Sequence, residues 1–498
     1  MIRLVRAIAA GLLLGGCVTG SSVRAPMADD GSAASALSTP TRDSQFPDGT
    51  VIRRALVAPT GDAEAQAADL RLALLNSYGV INRNALNAYV NGMVREILEV
   101  AGMPASCCRV EILSDLSLQA EARPSGLITV SFGWLMQAED DAELVGLFAH
   151  EIAHVLLGHY ESDTYADAMT ATNQVVSIAA GLSSKVRAAT SLVRGVNCGS
   201  ALTNDVFHPS WKRGQEREAD QFATDVVAKL GLSVARGPKA MLERLGALEG
   251  AGTAKEATEV RPGEKLSGQL KDWAKSLSNA HDDSASRADF VSDYFEKVWS
   301  ESPLRGRHSP RVGLIELRKD PEVAALLAAH QRVARVREQL AVANAGAALK
   351  ATTDLKREKT DLLITHMAVC DGWATAQKVS EARACLTEGM RLSAGSWIPA
   401  RALSNQLKRS GNGQQAIQTV EAGFDALGRP PVLLPEIAFL VHDLNKDVTE
   451  KYVRECMTAG SALLQACANN ANPEERKRRS EEEGKRLANK ITGKLFGK

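Results

Sequence analysis

The run His150-Glu151-Ile152-Ala153-His154 places two imidazoles and a carboxylate within five residues. On a helix, residues four apart stand one above the other on the same face. His150 and His154 can therefore offer ring nitrogens to one metal ion, with Glu151 beside them to accept a proton from water. That is the arithmetic of a zinc site with its own general base. The flanks argue that the stretch is helical. Glu139-Asp140-Asp141-Ala142-Glu143 supplies an acidic helix start, Leu144, Val145, Leu147 and Phe148 precede the motif, and Val155, Leu156 and Leu157 follow it. Unpaired polar groups inside so apolar a helix are costly, and metal coordination accounts for them.

A second helix is predicted from Gln215 through Ala223, continuing past Val226, Val227 and Leu230 to Gly231. Glu216 and Asp220 lie four apart on one of its faces. Either an acid from this helix completes a two-histidine, one-carboxylate set, or Glu216, Glu218 and Asp220 cap the helix and solvate it. Two strands are expected before the motif, Cys108 to Leu113 and Leu127 to Val130. With an open edge beside the metal, Leu127, Ile128, Thr129 and Val130 would hold an extended peptide by main-chain pairing; the alternative is a covered interior strand. His308 and Arg311, in the loop from Gly306 to Val312, are candidates for polarising a carbonyl or stabilising an oxyanion.

These residues need a scaffold, and composition limits its type. The chain has 498 residues, too many for one core, and its 59 Lys+Arg balance 59 Asp+Glu, which argues against a strongly basic nucleic-acid binder. Aromatics are only 4%, which suits Ala- and Leu-rich helix packing better than a β-sandwich. Helix-like spacing runs through Leu70 to Leu75 and Leu86 to Leu98, and 166–193 read as packed helix. Residues 246–282 look like an exposed loop able to cover the site. Beyond 320 the chain is Ala/Leu-rich helix. Trp397 to Phe424, broken at Gly411-Asn412-Gly413, has the grammar of a tetratricopeptide-like hairpin, within either true repeats or an irregular bundle, and it suits a protein partner.

The N-terminus reads as a targeting segment: Arg3 and Arg6, an apolar run from Ala7 to Leu14, then Gly15-Gly16-Cys17. Leu14-Gly15-Gly16-Cys17 resembles a bacterial lipobox, which implies cleavage before Cys17 and lipid on that residue. Val18, where an aspartate would signal inner-membrane retention, points to the periplasmic face of the outer membrane. That compartment permits disulfides. Cys370 with Cys385 and Cys456 with Cys467 are spaced to staple helical hairpins, and Cys198 can pair with Cys107 or Cys108.

Taken together, the motifs resemble the HtpX-like and CAAX-prenyl-protease-like zinc metallopeptidases, especially BepA-type periplasmic members with repeat regions. The resemblance rests on Pro124 to Val130, Glu143-Leu144, His150-Glu151-x-x-His154, His159 and Glu216-Arg217-Glu218-Ala219-Asp220, and covers about 80–318. It implies one zinc per chain on His150, His154 and Glu216, Glu151 as base, and Asp220 orienting a ligand imidazole. His308 and Arg311 resemble the histidine and arginine that follow in the family, although Pro310 is displaced.

The expected fold is mainly α with a small β-sheet: a zincin-type metallopeptidase domain and then an all-helical, tetratricopeptide-like region. The expected divisions are a signal and lipobox at 1–17, a flexible tether at 18–50, the peptidase at 51–320, the helical region at 321–472 and a charged tail at 473–498. The implied activity is hydrolysis of peptide bonds in unfolded or misassembled envelope proteins by a membrane-tethered endopeptidase. The alternative is a chaperone-like scaffold that binds such proteins through its helices.

Overall fold

The computed structural model describes residues 46–59, 62–161, 213–253, 284–304, 311–342, 345–357, 362–393, 395–442 and 444–459. Cys17 and its lipobox, most of the expected tether, 166–193, Cys198, residues 254–282, His308, Cys467 and the tail from 473 lie outside them. The described chain is mainly helical with one small sheet, followed by an all-helical region.

The described residues begin at Phe46, ahead of the domain start expected at 51. Phe46 is buried edge-on to Trp299, and the N–H groups of Val51 and Ile52 donate to the buried Asp225 carboxylate. Helix α1 spans Ala63–Leu74, with Asp62 accepting from Glu64 N as its cap. Helix α2 spans Asn84–Val100 and buries Leu86, Val90, Met93, Val94 and Ile97, the stripe that a 3.6-residue period produces.

Three strands follow: β1 (Arg109–Leu113), β2 (Ala120–Ala122) and β3 (Leu127–Ser131). Their order is β1-β3-β2, with β1 parallel and β2 antiparallel to β3. The strand expected to offer an open edge, Leu127 to Val130, is thus the central one, paired on both sides and buried at every residue. Its main-chain groups are already used by its neighbours, so it cannot receive a substrate strand. The outer side of β1 is bonded to residues 78–81, and the other edge strand is β2, whose sequence Ala120-Glu121-Ala122 contains none of the β-branched or aromatic residues that mark a strand.

A short helix α3 (Phe132–Gln137) leads to α4 (Asp141–Leu156), the motif helix. Asp140 caps α4 by accepting from Ala142 N and Glu143 N, and all its residues are buried. Helix α5 (Arg213–Lys229) packs along α4. Helix α6 (Pro238–Thr253) crosses it, and α7 (Ser284–Val298) packs on α5 and α6. Gly146 permits the crossing, because a Cβ there would stand 2.7 Å from Pro238 N. Residues 246–253, expected in a loop, complete α6.

After the short α8 (Gly313–Leu317) come α9 (Pro321–Val342), α10 (Ala345–Lys356), α11 (Leu363–Thr375), α12 (Val379–Leu392), α13 (Ile398–Arg409), α14 (Gly413–Ala426), α15 (Leu434–Val441) and α16 (Lys446–Thr458). Each packs on the next. Cys370 and Cys385 form a disulfide joining α11 to α12; Cys456 is also disulfide-bonded.

The two regions share elements across 320. Val323 and Leu326 of α9 enter the core that contains α4, whereas Leu72 and Leu75, at the end of α1, enter the core of Trp397, Ile417 and Phe424. Trp397 N donates to Leu75 O at 2.9 Å. The opposite end of the same helix holds the turn between β2 and β3: Gln66 Nε2 donates to Ser125 O and Ser125 Oγ to Asp69. Helix α1 therefore packs into the second core and is hydrogen-bonded to the β2–β3 turn of the first region.

Candidate metal centre

The helix period brings His150 and His154 one above the other on α4, and α5 lays Glu216 against them. His150 Nε2 and His154 Nε2 are 3.2 Å apart, and the Glu216 oxygens stand 3.7 and 3.6 Å from them respectively. All three side chains are buried.

The protonation pattern follows from what lies behind each ring. His150 Nδ1 is 2.9 Å from Asp220 Oδ1, so Nδ1 carries the proton and Nε2 presents a lone pair. His154 Nδ1 is 2.9 Å from His159 Nδ1, and His159 Nε2 is 3.3 Å from Glu218. Burial pulls His159 below its ordinary pKa, against the hydrogen bond and charge of Glu218, and so favours the neutral ring. With Nε2–H donated to Glu218, its Nδ1 accepts from His154, and His154 Nε2 is left with a lone pair. Two imidazole lone pairs and a carboxylate converge with no proton between the two facing nitrogens.

That donor set fits zinc. Tetrahedral coordination at about 2.0–2.1 Å places ligand atoms roughly 3.3–3.4 Å from one another, close to the separations found here. Two histidines and one acid also leave a fourth position for a reactant, as catalytic zinc sites require.

Arg287 of α7 closes the far side. Its Nε and Nη2 donate to the two Asp220 oxygens at 2.8 and 2.7 Å, and its Nη1 lies 2.7 Å from Glu216 Oε2. Burial would raise the Asp220 carboxyl, yet the charge and hydrogen bonds of Arg287, with that of His150, hold it below the usual carboxylate range. Asp220 thus stays ionised while 0% exposed.

Glu151, one residue after His150, turns toward the sheet. Its Oε2 accepts from Ala122 N at 2.9 Å. Ser131 N donates to Gln119 O and Arg123 N to Leu127 O, so the odd-numbered residues around β2 bond to β3 and the main chain of Ala122 faces away from it. The Tyr160 hydroxyl donates to the Ala122 carbonyl. Burial, aided by the charges of Glu151 and Asp69 and opposed by Arg123, pushes Glu121 up to about 7.

His150, Glu151, His154, Glu216 and Asp220 are therefore brought together. Arg311 is not. It pairs with Glu96 at the opposite end of α4, next to Leu314, whose N–H donates to Asp141. Nine helical steps carry the chain from Asp141 to His150, about 13 Å. Among the described residues, Arg287 is the arginine that reaches the site. A signal for it was present: Arg287, Val291 and Tyr294 follow helical spacing on one buried face, and a buried arginine requires an acid. His159 was legible as part of the motif but not as the support of His154, because that contact depends on where the chain turns after α4.

Residues 62–292 match the model of Peptidase family M48. The chain is 26% identical over 191 residues to the "Putative beta-barrel assembly-enhancing protease" of Vibrio cholerae serotype O1, 38% of each chain. It is 29% identical over 146 residues to "Metalloprotease YcaL" of Escherichia coli strain K12, 29% of this chain and 53% of that one. The chain thus spans well under two thirds of the length of either relative. Through residues 62–292 it is related to the M48 metallopeptidases and carries their zinc-metalloprotease-like motif on His150, His154 and Glu216.

Proposed function

We propose that this chain is a zinc-dependent endopeptidase of the bacterial envelope. It hydrolyses peptide bonds of unfolded or misassembled envelope proteins, and lipid on Cys17 tethers it to the periplasmic side of the outer membrane. The observation that carries the reading is the convergence of His150, His154 and Glu216 beside a glutamate that faces a sheet edge. The names of the two relatives, both proteases and one tied to β-barrel assembly, support the envelope setting.

When bound, zinc supplies Lewis-acid polarisation of the scissile carbonyl and acidifies water. Glu151 accepts the proton of the attacking water and passes it to the leaving amine. Ala122 N–H and C=O exchange their present partners for the main chain of an extended substrate, the role expected of Leu127 to Val130. Asp220 and Arg287 hold the His150 tautomer, as His159 and Glu218 hold that of His154. Arg287, beside Glu216, is placed to stabilise negative charge developing over the site, the role expected of His308 and Arg311.

The test is zinc content together with casein cleavage, on protein starting after Cys17 and on its Glu151→Gln variant. One zinc per chain in both, with cleavage lost only in the variant, is the expected result. Cleavage that persists in the variant removes Glu151 from the mechanism, and absence of zinc removes the site.

A second reading is a scaffold that binds envelope proteins with little proteolysis. The series of consecutively packed helices from α9 to α16, which resembles repeat architecture, favours it. Rescue of a deletion strain by Glu151→Gln would select this reading.

A further inference from the structure

Cys107 and Cys108 take no part in the machinery above. Both are free and buried, at 2% and 5% exposed. Adjacent side chains of a strand point to opposite faces, but these two precede β1 in a turn, where Cys107 N donates to Pro104 O. Their sulfurs face each other at 2.7 Å, against about 2.05 Å for a disulfide bond. Neighbouring Cα atoms stand about 3.8 Å apart, closer than the usual disulfide span, so closing the ring also bends the peptide that joins the two residues.

We propose that Cys107 and Cys108 form an oxidation site that closes a disulfide between neighbouring residues. The oxidant is a disulfide compound such as oxidised glutathione. One cysteine thiolate attacks a sulfur of the oxidant, and a mixed disulfide forms as the first thiol leaves. The second cysteine thiolate attacks the cysteine sulfur of that mixed disulfide and expels the second thiol. The pair gives up two electrons and two protons, and the oxidant becomes two thiols. Donation of the Cys108 S–H to Cys107 and burial both raise the Cys108 thiol, so little thiolate forms in the closed fold. Exchange therefore belongs to the folding or opened chain, and burial afterwards shields the product.

The place gives the modification a consequence. The Cys107 carbonyl lies against Gly126, where a Cβ would stand 2.1 Å from it, and Gly126 has a φ of +82°. Arg109 N donates to Gly126 O at 3.1 Å, at the turn joining β2 to β3. Closing the ring fixes the chain against the turn that returns the strand bearing Ala122.

The experiment uses the full chain refolded with oxidised glutathione. Remaining thiols are alkylated under denaturing conditions without reductant, and the digest is mapped by mass spectrometry. The expected product is a peptide containing Cys107 and Cys108 that carries no alkyl group and is lighter than the reduced peptide by two hydrogens. Alkylation of both residues overturns the proposal, as does a peptide joining either one to Cys198. The Cys198→Ser chain must give the same lighter peptide; its loss there also counts against the pair.

Discussion

Ala122 N–H donates to Glu151 Oε2 at 2.9 Å, so the open edge of the sheet and the carboxylate at the metal site are directly coupled. The N–H points away from β3, and replacing it leaves the β2–β3 rungs in place. Ala122→Pro should therefore retain zinc and fold but lose casein cleavage by about 10-fold or more, since residue 122 can then donate neither to Glu151 nor to an extended substrate. Zinc content measured beside cleavage rate checks this. Unchanged cleavage would mean that the contact has no role in turnover.

Arg287 and Asp220 form a buried bidentate pair behind His150. Asp220→Ala should weaken zinc binding by about 10–100-fold, the usual effect of removing a partner that orients a ligand imidazole. Arg287→Ala leaves two buried carboxylates short of their cation and should also cost about 3–5 kcal/mol of stability. Competitive chelator titrations and urea unfolding separate the two effects. Equal zinc affinity in wild type and Asp220→Ala would show that His150 needs no such partner.

The raised pKa of Glu121, about 7 against 4.5, means that folding favours its protonated form. That contribution is complete at pH below the ordinary carboxylate range and is lost as pH rises through about 7. Glu121→Gln does not ionise. Between about pH 5 and about pH 8 the wild type should lose stability relative to the variant. Thermal midpoints of both chains across that range decide it, and parallel curves would show that Glu121 ionises alike in the folded and unfolded chain.

Leu72, 5% exposed, anchors α1 in the C-terminal core while Asp69 of the same helix holds Ser125. Leu72→Ala should cost about 2–5 kcal/mol and raise hydrogen exchange along α13 to α15. Exchange confined to α1 would show that the two cores are not coupled through it.

The Cys370–Cys385 disulfide spans a separation of 15 residues. Replacing both with alanine should lower stability by about 3 kcal/mol, read as a shift in the urea midpoint. No shift would mean that packing of α11 on α12 suffices.

What the sequence determined by itself was local. The common face of His150 and His154, the pairing of Glu216 with Asp220 and the break at Gly411-Asn412-Gly413 follow from the helical period and from turn residues, which neighbours along the chain dictate. Strand formation at Leu127 to Val130 was legible for the same reason, but its place in the sheet was not. Only the partners decide which strand has a free edge, and here β2, a strand with no propensity of its own, took that position because β3 pairs with it. Arg287 and His159 gained their roles when separate segments docked, and α1 came to link the second core to the β2–β3 turn in the same way. Such contacts join residues far apart in the chain, and no periodicity within either segment encodes them.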